Sequence, residues 1–264
     1  MKPTAYDLLD RVRQQKPVVH HLTNWVTIYD CAQVVKTLGA SPVMAHAIEE
    51  ATEMTQIASA LVLNIGTLTV DFVEGMKLAA KSANKKGIPV ILDACGAGAT
   101  GLRDRKCLEL LNEARIDIIK GNASEVARVA GESVRTRGVD ATEVGSDIAA
   151  LAQKLAVQRN ATVVVTGQVD IATDGKKVYR IANGHEMMAH VVGTGCMATS
   201  MIGTFAAVER DLALAAACAL SVYGIAGELA GRQTSGPTAF KERLLDSLYA
   251  LDRETVDRMQ RIEG

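Results

Sequence analysis

A few short stretches of this chain hold residue types suited to handling a charged group. The segment VVGTGCMATSMIG (191–203) is a glycine-flanked turn that opens a helix of small residues. Gly193 and Gly195 allow a ligand to approach the backbone closely, and the free N–H groups of a first helical turn attract anions. Cys196 stands at that N-terminus, where the helix dipole favours a thiolate. A tight loop with a buried cysteine explains the same letters, and the motif alone does not separate the two readings. Asp93 ends an apolar run and is followed by the glycine-rich CGAGATG (95–101). Glu125 lies three residues after Asn122, the spacing of a helix capping pair. Taken alone, that pair reads as a cap. The competing reading has Asp93 and Glu125 arranging water around Mg²⁺, an ion that keeps several waters and needs few carboxylates. Lys120, just before Gly121, has the charge to neutralise a phosphate, although a lone lysine is ordinarily a solvated surface charge. His20 and His21 are neighbours in a strand and so face opposite sides, which argues against a shared metal.

These residues need a scaffold, and the chain supplies an α/β pattern. Short β-branched runs alternate with longer helical stretches, the signature of βαβ units around a mostly parallel sheet. Strands are expected at VVHHL (18–22), PVMA (42–45), ALVLNIG (60–66), IPVILDA (88–94), IDIIKG (116–121) and TVVVTG (162–167). Helices are expected over 25–38, 46–59, 70–86, 102–115 and 145–159, and then from Cys196 to the end as 196–208, 210–231 and 237–262. The Asp174-Gly175 pair between alternating apolar residues signals a hairpin, hence an antiparallel edge. Ligands of open α/β sheets bind beyond the carboxyl ends of the strands. Asn24, Met44, Gly66 with Thr67, Asp93, Lys120 to Glu125, and Thr166 with Gly167 all fall at those ends.

Bulk composition narrows the function classes. The 264 residues are 48% hydrophobic and 22% charged, which suits one domain over 1–264 with a large core. The 29 basic and 30 acidic residues balance, so no electrostatic case for nucleic acid or a membrane surface arises. The five cysteines form no CxxC pair, a pattern that suits a reducing cytoplasm. The N-terminal stretch lacks the apolar core of a secretory signal. Residues 187–208 carry no Asp, Glu, Lys or Arg, but their glycines, His190 and hydroxyls favour a loop entering a buried helix over a membrane span. The polar stretch 133–146 reads as a mobile surface loop.

Taken in order, the motifs resemble the hydroxyethylthiazole kinase family of the ribokinase-like superfamily. The matching segments are His21 to Asn24, Gly39 to His46, Asn64 to Thr67, Asp93 with Gly96 to Gly101, Gly121 to Glu125, Thr166-Gly167 and Gly193 to Cys196. The resemblance implies a three-layer αβα fold and a homotrimer with its thiazole pocket between subunits. It implies transfer of phosphate from Mg²⁺–ATP to the alcohol of 4-methyl-5-(2-hydroxyethyl)thiazole, for thiamine salvage. By the same resemblance Asn24, Val26, Met44, Gly66, Thr67, Gly193 and Cys196 surround the thiazole alcohol. Lys120, Asn122, Glu125, Thr166 and Gly167 meet ATP, Asp93 and Glu125 serve Mg²⁺, and Gly193 to Cys196 form the anion hole. Cys196 stands where related superfamily kinases carry an aspartate base, so it serves either as a modest base or as a contact.

The sequence departs from the family at three points: Lys120 replaces arginine, Ala94-Cys95 replaces Pro-Val, and His20-His21 doubles a single histidine. Three other functions compete: a kinase of another small alcohol such as hydroxymethylpyrimidine, a nucleotide-dependent dehydratase of a hydrated nicotinamide cofactor, and a non-catalytic thiazole sensor. The SPVMAH and NIGT segments oppose the first. Cysteine in place of aspartate opposes the second, and intact Asp93, Glu125 and Gly-Thr-Gly oppose the third.

Overall fold

The computed structural model describes residues 4–132 and 147–264, so the stretch 133–146 read as a surface loop lies outside the described residues. The chain runs α1 (Ala5–Gln15), β1 (Val18–Leu22), α2 (Ile28–Thr37), β2 (Ser41–Val43), α3 (Ile48–Ile57), β3 (Ala60–Asn64) and α4 (Val70–Lys86). It continues through β4 (Val90–Asp93), α5 (Gly101–Glu113), β5 (Ile118–Asn122), α6 (Ala123–Val129), α7 (Ile148–Arg159), β6 (Thr162–Thr166), β7 (Asp170–Thr173) and β8 (Val178–Ile181). A 3₁₀ turn (Glu186–His190) leads to α8 (Thr194–Ala206), α9 (Leu212–Gly231), α10 (Pro237–Ala250), α11 (Arg253–Met259) and β9 (Ile262–Glu263).

The described strands form one sheet in the order β2-β1-β3-β4-β5-β6-β7-β8-β9. Pairing is parallel from β2 through β6 and antiparallel from β6 to β9. Each central strand is buried on both faces because helices cover both. Ala60 and Val62 of β3 belong to the apolar cluster that includes α1, α2 and α8 to α11, whereas Leu61 and Leu63 belong to the one that includes α4, α5 and α7. The result is three layers, α/β/α. By length and composition α9 has the character of a membrane span, with mean hydropathy 1.7, yet 83% of its apolar window is buried inside the fold.

Local chemistry explains where most elements stop. Helix α4 begins where the Thr69 hydroxyl accepts from Phe72 N–H and ends at the left-handed Gly87. The Asp174-Gly175 hairpin forms as expected between β7 and β8, with Asp174 Oδ1 accepting from the N–H groups of Lys176 and Lys177. Two expectations need correction. The single helix expected over 237–262 breaks at Leu251, because the Asp252 side chain caps a new helix through Thr255 N–H, and the chain then pairs Ile262 with Ile181. The N-terminal stretch, read only for the absence of a signal, is helix α1, closed by a Thr4–Asp7 capping box.

Candidate active site

The parallel register sets a row of polar side chains across the carboxyl edge of the sheet. Asn64, the last residue of β3, pairs with Asp93, the last of β4, and Asp93 pairs with Lys120. Lys120 is expected at a strand end, but β5 runs on to Asn122, so the lysine is held within the sheet. Strands β1 and β3 are neighbours, and the chain leaves β1 toward β2 on one side and β3 toward β4 on the other. That reversal opens a crevice at the carboxyl ends of β1 and β3, the usual place for a ligand. Asn24 stands there, two residues past β1.

Hydrogen bonds join this row into one network. The Asn24 side-chain amide donates to Asn64 Oδ1 at 3.0 Å and to Cys196 Sγ at 3.3 Å. Asn64 in turn donates to Asp93 Oδ2 at 3.0 Å and to the same sulfur at 3.4 Å. Asp93 Oδ2 also accepts from the Thr199 hydroxyl at 2.6 Å and from Lys120 Nζ at 3.3 Å. Lys120 Nζ reaches on to the carbonyl of Gly195 at 3.1 Å. Asp93 and Lys120 are both buried, so the reading of this lysine as a solvated surface charge is overturned.

The glycine-flanked turn is bent toward this network. Gly193 has φ +95, and a Cβ there would lie 2.7 Å from Thr27 Cγ2, so both conformation and space demand glycine. The turn opens α8, placing Cys196 in its first turn. The Cys95 thiol donates to Cys196, which outweighs burial and the nearby Asp93 charge; with help from Lys120 it brings the Cys196 thiol down to about 6. The reciprocal contact and burial push the Cys95 thiol up. The contact with Cys95 thus favours the thiolate form of Cys196.

Glu125 performs the capping that its spacing suggested, and more. Its Oε2 accepts from Asn122 N–H and its Oε1 from Gly96 N–H, each at 2.7 Å, while Asn122 Oδ1 accepts from Glu125 N–H. One carboxylate thus ties the start of α6 to the glycine-rich loop after β4. Burial, then the Asp93 charge, raise its pKa above the ordinary glutamate value. Burial opposes the charge on Lys120, but Asp93 and Glu125 outweigh it and hold the ammonium above its usual range. Glu125→Gln is expected to lower stability by roughly 1–3 kcal/mol, because the amide must turn an NH₂ toward one backbone N–H. Chemical denaturation of the two proteins measures this, and equal midpoints would exclude the double acceptor role.

Asp93, Glu125 and Cys196 thus all lie within electrostatic reach of the Lys120 ammonium. Two carboxylates near one another suit a hard divalent cation. Among the described residues no cluster of three or more His, Cys, Asp or Glu is arranged to hold a metal alone.

Residues 9–254 match the family described as Hydroxyethylthiazole kinase family. The chain belongs to that family. A hydroxyethylthiazole kinase from Methanosarcina mazei is 50% identical over 255 residues, covering 97% of this chain and 98% of that protein. The solved hydroxyethylthiazole kinase structure from Pyrococcus horikoshii OT3 superposes with a TM-score of 0.90 at 39% identity, covering 98% of each chain. A pyridoxal kinase from Bacillus subtilis, solved as an ADP complex, shares the fold alone, with a TM-score of 0.61 at 16% identity.

The other residues that the family resemblance implied lie around the network in three groups. Thr67 Oγ1 accepts from Trp25 N–H at 3.0 Å, and Gly66 N–H donates to Asn64 Oδ1 at 2.9 Å, so both belong to the crevice wall. Met44 was expected within a strand, but β2 ends at Val43, and the Met44 carbonyl bonds the His46 ring. Thr166, opposite Asn122 in the sheet, and Gly167, bonded to Asp170, stand one strand further on. Val26 does not join the network: it is 67% exposed, beside exposed Trp25 and Tyr29. His20 and His21 turn to opposite faces, His20 to Thr55 and Ala45, His21 to Val19 and Ser200. Thr199 and Cys95 also join the network, and no motif in the sequence marks either of them. For Asn64 the sequence does hold a signal, an asparagine that ends an apolar strand.

Proposed function

We propose that this protein phosphorylates the hydroxyethyl alcohol of 4-methyl-5-(2-hydroxyethyl)thiazole from Mg²⁺–ATP, a step of thiamine salvage. The observation that carries the reading is the single network joining Asn24, Asn64, Cys196, Asp93 and Lys120 at the switch point of the sheet. A small alcohol seated against Asn24, Met44, Gly66 and Thr67 has its hydroxyl beside a thiolate. Cys196 accepts the alcohol proton, and the N–H groups of Gly193 to Cys196 hold the transferred phosphoryl oxygens. Lys120 supplies fixed positive charge beneath that turn. Asp93 and Glu125 would hold Mg²⁺ through water, and when bound the ion offsets charge on the phosphates. Asn122, Thr166 and Gly167 line the nucleotide side. Such a site works mainly by positioning and charge, which suits a loose phosphoryl-transfer transition state.

The test is release of ADP with thiazole alcohol, hydroxymethylpyrimidine or buffer alone in separate reactions. The reading requires turnover with the thiazole well above the other two. Turnover confined to hydroxymethylpyrimidine would replace it with the other kinase.

We further assign the whole chain to one domain that works as a homotrimer in the cytoplasm, with the thiazole site between subunits. Exposed Trp25, Val26, Tyr29 and Val192 support the assembly, since these large apolar residues flank the site and call for a cover. A catalytic thiolate supports a reducing compartment. Sedimentation at assay concentrations is expected to give a trimer, and an active monomer would refute it.

A further inference from the structure

Arg103 is the third residue of α5 and touches neither the acidic pair nor the cysteine in the network above. Its guanidinium nevertheless reaches back over two loops. Nη1 donates to the carbonyls of Ile65 at 2.8 Å and Cys95 at 3.1 Å, and Nη2 donates to the carbonyl of Gly66 at 2.7 Å. Ile65 and Gly66 follow β3, and Cys95 follows β4, so one side chain joins two separate loops.

Each loop serves a different side of the site. The β3 loop carries Asn64, whose amide reaches Asp93 and Cys196, and Thr67, whose hydroxyl holds Trp25 N–H next to Asn24. The β4 loop carries Asp93, the Cys95 thiol against Cys196, and Gly96, whose N–H is fixed by Glu125. We infer that Arg103 is a positioning residue that locks the thiazole-side loop to the metal-side loop, setting the alcohol against the phosphoryl donor. A planar fork with several donors is required, because the three carbonyls lie on two chain segments; a lysine ammonium at one point does not span them. Gly96 is shaped around this fork: its φ is +77, and a Cβ there would lie 2.9 Å from Arg103 Nη1.

The inference rests on the kinase reading, and the experiment separates the two. Arg103→Ala and Arg103→Lys are compared with the wild type for KM of thiazole alcohol, KM of ATP, kcat and Tm. Misplacing one reactant by about 1 Å costs on the order of 100-fold, so kcat/KM for the thiazole is expected to fall roughly 10- to 100-fold in both variants. The KM of ATP should stay within about twofold, since Asn122 and Thr166 end β5 and β6, Gly167 follows β6, and the Arg103 hydrogen bonds reach only the loops after β3 and β4. Free guanidinium at low millimolar concentration is expected to restore part of the alanine variant's kcat/KM, and ammonium is not. A loss that follows Tm, spreads equally to ATP and resists guanidinium would make Arg103 a stability residue and overturn the proposal.

Amide hydrogen exchange gives the readout that does not depend on activity. In Arg103→Ala, residues 65–67 and 94–97 are expected to lose protection together, and guanidinium to restore both. Unchanged protection in either loop would overturn the lock even if the wild type proved inactive on the thiazole. Wild-type inactivity with coupled loss of protection would sink the kinase reading and leave the lock standing.

Discussion

Asp93→Asn is expected to lower turnover by roughly 100- to 1,000-fold, the usual consequence of deleting one preorganised electrostatic group from a site. The asparagine oxygen can take the place of Asp93 Oδ2 and still accept from Asn64, Thr199 and Lys120. Geometry therefore survives, and the charge is what disappears. Lys120, buried at 4% exposure, then keeps neutral acceptors in the asparagine oxygen and the Gly195 carbonyl but loses its ion-pair partner. Breaking a buried pair by removing one partner costs about 3–5 kcal/mol, so the single variant should also melt early. The decisive protein is Asp93→Asn combined with Lys120→Met. Removing both buried charges is often neutral for stability, so Tm should return toward the wild type. Turnover should not return, because the proposed site then lacks both the Asp93 carboxylate and the positive charge beneath the Gly193–Cys196 turn. Recovery of turnover along with Tm would mean that Asp93 and Lys120 are only a structural pair.

That pair shows how far the sequence alone carries. Asp93 was legible because an acid closing an apolar strand before a glycine-rich loop is a strong signal. Strand β1 and helix α4 fell at the expected residues, since a β-branched run and a Thr69 cap with Gly87 at the far end are local signals. The burial of Lys120 was not legible. Its side chain lies within β5 because backbone pairing with β4 and β6 continues past the apolar run, and ladder hydrogen bonds take no account of side-chain polarity. Glu125 was legible as a cap from its spacing, but the second acceptor contact to Gly96 comes from a loop 29 residues away. Arg103 and Thr199 are of the same kind. Each lies on a helix and reads as an ordinary helical residue, and only the packing of α5 and α8 onto the strand ends gives it a role. The proximity of Cys95 to Cys196 is likewise invisible in a chain where the two lie far apart in sequence.

That thiol pair leads to the second large effect. Cys196→Ala is expected to lower kcat by roughly 10- to 100-fold at pH 8, the scale for losing a modest general base. The backbone donors of the turn, Lys120 and the two carboxylates remain, so activity should not vanish. The pH dependence distinguishes a base from a mere contact. With the Cys196 thiol held down at about 6, wild-type kcat should be flat above pH 7 and fall about tenfold per unit below pH 6. The alanine variant should lack that acid limb. Cys95→Ala removes the first cause of the lowered value, so its limb should move to higher pH, toward an ordinary thiol. Stability shifts in the same sense. A thiol whose folded pKa lies below its unfolded value contributes stability that is complete above the unfolded pKa near 9 and lost as pH falls through 6. Cys196→Ala should therefore lose more Tm, relative to the wild type, at pH 8 than at pH 5.5. Cys196→Asp keeps a proton acceptor at the helix N-terminus, where the dipole stabilises a carboxylate, and should retain or raise phosphoryl transfer with its acid limb below that of the thiol. Single-turnover rates at saturating ATP isolate the chemical step in all four proteins. An acid limb that stays in place in Cys95→Ala, or that persists in Cys196→Ala, would assign the titration to another group and leave Cys196 as a contact.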